Sequence, residues 1–404
     1  MAPQPWMTAR ATRRVLAALA KGGAPARFVG GAVRDALLGR TVTDIDLATP
    51  APPTRVLALL EAAGIRAIPT GLAHGTVTAV VSRRRFEITT LRVDVESLGR
   101  RARVAFTADW RADALRRDFT MNALSADPDG TLHDYVGGLR DLRARRVRFV
   151  GNPELRIRED VLRLLRFYRF LAQLGTRRPD TAARKACRAL KSLLPTLSAE
   201  RVTGELWKLL EADDPLPALR IMRRDGVLPL ILPEARRFRR LQGLLAVERE
   251  IDPLLRLAAL VEVDGEGARA LARRLRLANA ERDRLVALAS PSWKLRLADD
   301  RHARRRALYH LGRERFCDVV LLRAAAVGDE GRRPARTLVA FAEKTRLPGF
   351  PLKGGDVVAL GVAPGPRVKA LLTEIATWWE AGDFRATRKA CLAALARRIG
   401  SGDA

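Results

Sequence analysis

The sequence predicts an α+β protein, a small mixed-sheet segment followed by an all-helical remainder, and three observations carry that expectation. Between residues 27 and 150, short β-branched runs alternate with amphipathic helical stretches. Past Asn152-Pro153 the strand signals stop, and helical periodicity continues almost to the end, broken by Gly and Pro punctuation. The 404 residues, 48% of them hydrophobic, suffice for roughly two to four domains. No apolar run approaches the about eighteen residues that a membrane span requires.

Taken in order, strands are expected at 27–29, 43–48, 76–82, 86–93, 131–134 and 147–150, with helices near 32–38, 54–63, 109–117 and 120–125. In Arg85-Phe86-Glu87-Ile88 the alternation puts Phe86 and Ile88 on one face and Glu87 on the other. Farther along, 257–288 and 295–326 carry Leu/Ala stripes with Arg opposite, the pattern of packed helices with a solvated face. Three domains are expected: a mixed α/β segment at 1–150, a helical segment at 151–212, and a helical 213–404.

Charge narrows the partners. The 74 Lys and Arg against 45 Asp and Glu leave +29, and only nine of the bases are Lys. Codon bias accounts for the scarcity of Lys but not for the net charge. Guanidinium groups fork onto phosphate and stack on bases, so a nucleic acid leads the list of partners. Cys187, Cys317 and Cys391 are isolated and form neither a disulfide framework nor a zinc cluster, which fits a reducing compartment. Although mildly amphipathic from Thr8 to Ala20, the N-terminus has no long apolar segment and no small-residue cleavage site. A cytoplasmic protein is expected, with no membrane and no obligate protein partner.

Two stretches suggest chemistry before any other. In Phe28-Val29-Gly30-Gly31-Ala32-Val33-Arg34-Asp35, two glycines join a strand to a helix, leaving backbone N–H groups free for an anion that can approach closely. Asp44 and Asp46 lie two apart in the next strand, so both carboxylates leave one face, and Glu87 is placed to make a third. Converging carboxylates repel unless a cation joins them, and hard oxygen ligands suit Mg²⁺. A metal beside a phosphate is one reading; a glycine turn followed by surface acids is the other.

In Arg116-Arg117-Asp118-Phe119-Thr120-Met121-Asn122, the arginines suit phosphates and Asp118 and Asn122 suit ribose hydroxyls, while Asp118 equally suits a helix cap. Asp134-Tyr135-Val136-Gly137-Gly138 reads only as a turn. On an expected helix through Ile157–Phe167, Asp160, Arg163 and Arg166 rise along one face. Intrahelical ion pairing explains them, and so does base recognition. A carboxylate accepting from an exocyclic amine, beside a guanidinium donating to a ring nitrogen, admits cytosine and adenine and rejects uracil and guanine.

These stretches, together with Asp134-x-x-Gly137-Gly138-x-x-Asp141-Leu142 and Ser198-Ala199-Glu200-Arg201-Val202-x-x-Glu205-Leu206, resemble in order and spacing the motifs of class II CCA-adding tRNA nucleotidyltransferases and bacterial poly(A) polymerases. The resemblance covers about 27–210. More loosely, Pro351-Leu352-x-Gly354-x-Asp356, Gly361 to Pro366 and Trp378-Trp379 look like the tail of bacterial members. It implies a polymerase-β-like head, a helical neck, body and tail, and template-independent addition of C, C and A to the 3′ end of tRNA from CTP and ATP. By the same resemblance, Asp44 and Asp46 bind two Mg²⁺ with Glu87 as third carboxylate; Gly30, Gly31 and Arg34 hold phosphates. Arg117, Asp118 and Asn122 hold sugar and triphosphate, and Asp160 and Arg163, supported by Arg166, select the base.

Alternatives at this stage are a poly(A) polymerase, a CC-only enzyme, a catalytically dead RNA-binding protein, and a nucleotidyltransferase acting on a protein or small molecule. Gly71-Leu72-Ala73-His74-Gly75-Thr76-Val77 resembles CCA-adding members, whereas the polymerases tend to carry basic Gly-Arg-Arg-Phe-like text there. His74 itself reads as a turn residue. Members usually place an acidic residue before a Gly-Arg pair in a loop that helps switch from C to A; here Leu98 precedes Gly99-Arg100, which keeps the CC-only alternative open.

Overall fold

The computed structural model describes residues 1–96, 103–176 and 178–400. They form two compact units, Met1–Ala235 and Arg236–Ala404. The stretch Leu98-Gly99-Arg100 lies outside the described residues.

The first unit is built on a seven-stranded mixed sheet. Its strands are β1 (Arg27–Val29), β2 (Ile45–Thr49), β3 (Arg66–Gly71), β4 (Thr76–Val81), β5 (Arg84–Thr90), β8 (Ser125–Ala126) and β9 (Leu132–His133), in the order β3-β4-β5-β2-β1-β8-β9. Two further strands, β6 (Arg92–Glu96) and β7 (Arg103–Phe106), make a separate antiparallel hairpin. β2 and β5 run parallel, with Ile45 opposite Phe86, Asp46 opposite Glu87 and Leu47 opposite Ile88. Since side chains alternate across a strand, this register gathers Ile45, Leu47, Phe86 and Ile88 on the buried face and leaves Asp46 beside Glu87 on the other. Val56 and Leu60 of the helix Pro53–Ala62 are buried as that helix packs on β3, β4 and β5.

Several expectations are corrected. The expected 86–93 strand divides into β5 and β6 at Leu91. Residues 120–125 form not a helix but a short 3₁₀ turn, Thr120–Asn122, followed by β8, because Ser125 and Ala126 pair with β1 on one side and β9 on the other. Nor is 147–150 a strand; Phe149 makes one isolated bridge to Phe119, and both rings are buried. Edge strand β3 was not expected. Pro69 lacks an N–H, and the pairing register shifts between Ile68 and Gly71 around it.

Beyond the sheet, Asn152 caps the helix Pro153–Glu159, its Oδ1 accepting from the N–H of Glu154 at 2.9 Å and Leu155 at 3.3 Å. The continuous helix expected through 157–167 is broken. Asp160 takes an extended conformation (φ −149°, ψ 106°), its carboxylate accepts the Leu162 N–H at 3.1 Å, and a second helix runs Leu162–Leu174. An aspartate that bonds the backbone two residues on competes with helix continuation. Phe119 packs on Phe149 and Phe170, with ring centroids 4.7 and 5.3 Å apart, and Phe149 packs on Phe167 at 6.0 Å. That aromatic cluster fixes the Asp118–Asn122 turn against the helix carrying Arg163 and Arg166.

The second unit is helical among its described residues. One of its cores joins Leu352, Val357, Ile375, Trp379, Cys391 and Leu395. Buried Arg256 pairs with Glu248, and the long helix Arg301–Val327 is interrupted at Gly312, whose φ of 72° lies in the left-handed region.

Candidate active site

A cleft of about 780 Å³ in the first unit is lined by every proposed site residue except Glu87, which lies on the neighbouring strand opposite Asp46. Asp44 precedes β2 and is exposed, whereas Asp46 is half-buried within it. Burial, then the nearby charge of Glu87, push the Asp46 carboxyl up to about 6, with Arg117 pulling the other way and Asp44 adding to the rise. Among the described residues no three Asp, Glu, His or Cys side chains converge tightly enough to hold a metal ion by themselves. Adjacent Asp44 and Asp46 nevertheless fit Mg²⁺, which is commonly bound by one or two carboxylates plus substrate phosphates and waters.

Around these acids stand guanidinium groups held by neighbours. Arg34 forks onto Asp35 at 3.0 and 2.7 Å, and its Nη1 donates to Asn122 Oδ1 at 2.7 Å. Asn122 Nδ2 donates in turn to Asp118 Oδ1 at 3.0 Å, and Asp118 pairs with Arg166 at 2.6 Å. Burial works to raise the Asp118 carboxyl, but Arg166 and the hydrogen bonds from Asn122 and Phe119 hold it below the usual range. Gly30 has φ +66°, and a Cβ there would lie 3.3 Å from Arg117 Nη1, so a side chain would meet both strain and crowding. At Gly31 a Cβ would make only an ordinary contact, 3.7 Å from Arg34 Nη2.

The three residues expected on one helix face do not pair with one another. Arg163 Nη1 donates to Glu159 Oε2 at 2.5 Å, while Asp160 accepts from Arg201 Nη2 at 3.0 and 2.9 Å. Asp160 and Arg163 both line the cleft, each oriented by a different partner. His74 ends a short 3₁₀ turn, and its carbonyl accepts from Arg92, the structural role expected of it.

Sequence reasoning missed the support. Buried Asp113 accepts from Arg116 at 2.8 and 2.6 Å and from Arg117 at 3.2 and 3.0 Å; an acid three and four residues before a pair of arginines was the available signal. The glycine turn is also more than a turn. A Cβ on Gly138 would lie 2.1 Å from the Thr120 carbonyl oxygen, and Asp141 Oδ2 accepts from Thr120 Oγ1 and Arg148 Nε, each at 2.7 Å. Gly138 and Asp141 thereby hold the turn that carries Asn122. In the cleft wall, Arg169 pairs with Glu205 at 3.0 Å and lies 4.2 Å over the Phe170 ring.

A cleft with paired carboxylates and clustered guanidiniums suits a nucleoside triphosphate with a divalent cation. Residues 26–148 match the family model described as the poly A polymerase head domain, and 178–238 match the probable RNA and SrmB-binding site of polymerase A. The mitochondrial CCA tRNA nucleotidyltransferase 1 of Mus musculus is 33% identical over 377 residues, spanning 89% of this chain and 83% of that protein. The chain belongs to the class II CCA-adding tRNA nucleotidyltransferase and poly(A) polymerase family. Among bacterial members, the CCA-adding enzyme of Bacillus subtilis (strain 168) is 42% identical over 200 residues, 49% of each chain. The Bacillus stearothermophilus CCA-adding enzyme, solved in complex with CTP, superposes with a TM-score of 0.79 at 32% identity and covers 96% of this chain and 97% of that one. The α+β architecture matches that structure. Heads of this family are typically metal-dependent, and the matched head segment contains Asp44, Asp46, Glu87, Arg117, Asp118 and Asn122.

Proposed function

We infer that this chain adds C, C and then A to the 3′ end of tRNA, using CTP and ATP and releasing pyrophosphate. The observation that carries the reading is one cleft that holds Asp44 and Asp46, phosphate-suited arginines and the Asp160/Arg163 pair, in a chain aligned along 89% of its length with a CCA tRNA nucleotidyltransferase.

In the reaction, the tRNA 3′-oxygen forms a bond to the α-phosphorus as the bond to the bridging oxygen breaks. Pyrophosphate leaves with that electron pair, and the hydroxyl proton is lost to solvent. We assign Asp44 and Asp46, with Glu87 alongside, to Mg²⁺, which when bound neutralises the triphosphate and lowers the pKa of the 3′-hydroxyl. Arg34 and Arg117 then hold phosphates, with Gly30 and Gly31 allowing close approach. Asp118 and Asn122 position the sugar, and Asp160 and Arg163, with Arg166 bracing Asp118, read the base edge. We place catalysis in 1–150, base selection in 151–212 and tRNA contact in 213–404. Cytoplasmic placement is supported by the three thiols, all free; among the described residues no helix is long and apolar enough to cross a membrane.

Incubation with Mg²⁺ and tRNA lacking CCA tests the reading. Three added nucleotides with CTP plus ATP, and two with CTP alone, are expected; long A-tails or no extension would overturn it. Binding of tRNA should weaken steeply with added salt, and an affinity that ignores salt would contradict the contact with phosphates.

A further inference from the structure

We propose that a second cleft in the first unit seats the unpaired 3′ end of the acceptor RNA, an assignment that rests on the nucleotidyl-transfer reading above. The cleft measures about 810 Å³ and meets the nucleotide cleft at Thr43 and Asp44, the two residues that line both. Displacement at phosphorus brings the attacking oxygen and the leaving oxygen roughly into line. With the triphosphate held by Arg34 and Arg117, the 3′-hydroxyl must reach the carboxylates by another approach, and this second cleft adjoins Asp44.

Its lining has the chemistry of a single-strand seat. Arg83, Arg84 and Arg85 line it from the turn between β4 and β5. All three are exposed, and among the described residues none of their side chains pairs with a carboxylate or donates a hydrogen bond. Neighbouring Arg40, by contrast, is tied to the Gln173 carbonyl. Three exposed guanidiniums beside Asp44 suit a phosphodiester backbone, whose charge they offset where the chain reaches the carboxylates. Trp6 also lines the cleft, its half-buried ring pinned edge-on to buried Phe28 with centroids 4.8 Å apart. A fixed indole beside arginines is the recurring device for stacking a base while the backbone is neutralised. The tip residues Ser82 and Arg83 sit at φ 50° and 65°, where Gly or Asn is usual. A basic residue therefore occupies a position that the backbone alone would give to another.

The test uses the full chain carrying R83A/R84A/R85A, substitutions at exposed positions, and a tRNA ending just before CCA. The KM for tRNA should rise roughly tenfold while the KM for CTP stays within about twofold, and the salt slope of tRNA binding should shrink by about 0.7 per lost single-strand phosphate contact. R83K/R84K/R85K should recover most of the loss. Photocrosslinking of wild-type protein to tRNA bearing 4-thiouridine at its last position should label peptides containing Trp6 or Arg83–Arg85. An unchanged KM for tRNA and salt slope in the alanine variant, with the wild type active, would overturn this seat and leave CCA addition standing. Failure of the wild type to extend tRNA at all would overturn both, and that is seen before any variant is compared.

Discussion

The Arg169–Glu205 pair in the wall of the nucleotide cleft should orient rather than stabilise. Its side chains are only 8% and 7% exposed, and the two meet at 3.0 Å. Burial pushes the Arg169 guanidinium down to about 10, against the pull of Glu205 and with Arg166 adding to the fall. The folded state thus binds this proton less tightly than the unfolded chain, so this group's contribution to stability should rise with pH above about 10. Desolvation therefore outweighs what the pair returns. Removing one partner is a different matter, because the other charge stays buried and uncompensated at a cost of about 3–5 kcal/mol. R169M and E205L should each lose about 3 kcal/mol or more, a drop of roughly 6–12 °C in melting temperature for a unit of this size. The double variant R169M/E205L, which replaces both charges by apolar volume, should return to within about 1 kcal/mol of wild type. Urea and thermal denaturation of the three variants measure this directly. Single variants as stable as wild type, or a double variant as unstable as the singles, would refute the reasoning.

Replacing either acid on the metal side, D44N or D46N, should reduce nucleotide incorporation by roughly 10³-fold or more, the scale of losing a transition-state charge partner, with melting temperature little changed. Single-turnover CMP incorporation checks it. D160A should cost CTP roughly 1.5–3 kcal/mol in kcat/KM, about 10²-fold, and narrow the preference for CTP over UTP, which competition between the two nucleotides reads. Burial works to raise Asp113, yet Arg117 and Arg116 hold its carboxyl below 3.8. A depressed folded value gives stability that is present above the unfolded pKa and lost as pH falls through the folded one. Urea midpoints measured from about pH 6 downward should therefore fall less steeply near pH 4 and below in D113N than in wild type.

What could be read beforehand divides along a physical line. Motifs that lie in the residue types themselves could be picked out, and the structure brings them to one cleft: glycines beside a strand end, acids two apart, and the Asp160/Arg163 pair. Period-2 alternation placed Glu87 on the face away from Phe86 and Ile88, but only the parallel register of β2 and β5 brings it opposite Asp46, and register between strands separated by some forty residues is a tertiary property. The helix expected through Asp160 failed for the complementary reason. Periodicity counts side chains at fixed spacing and assumes an unbroken backbone, whereas the Asp160 carboxylate stops the helix by bonding Leu162 and Arg201. That break bears on the proposed base selection. Had Asp160 and Arg163 shared one helix, each would have been the other's nearest partner, and a nucleotide would have had to compete with their ion pair. Held instead by Arg201 and Glu159, the two line the cleft from separate ion pairs, and under the proposed reading a base edge would meet a carboxylate and a guanidinium that are not paired to each other.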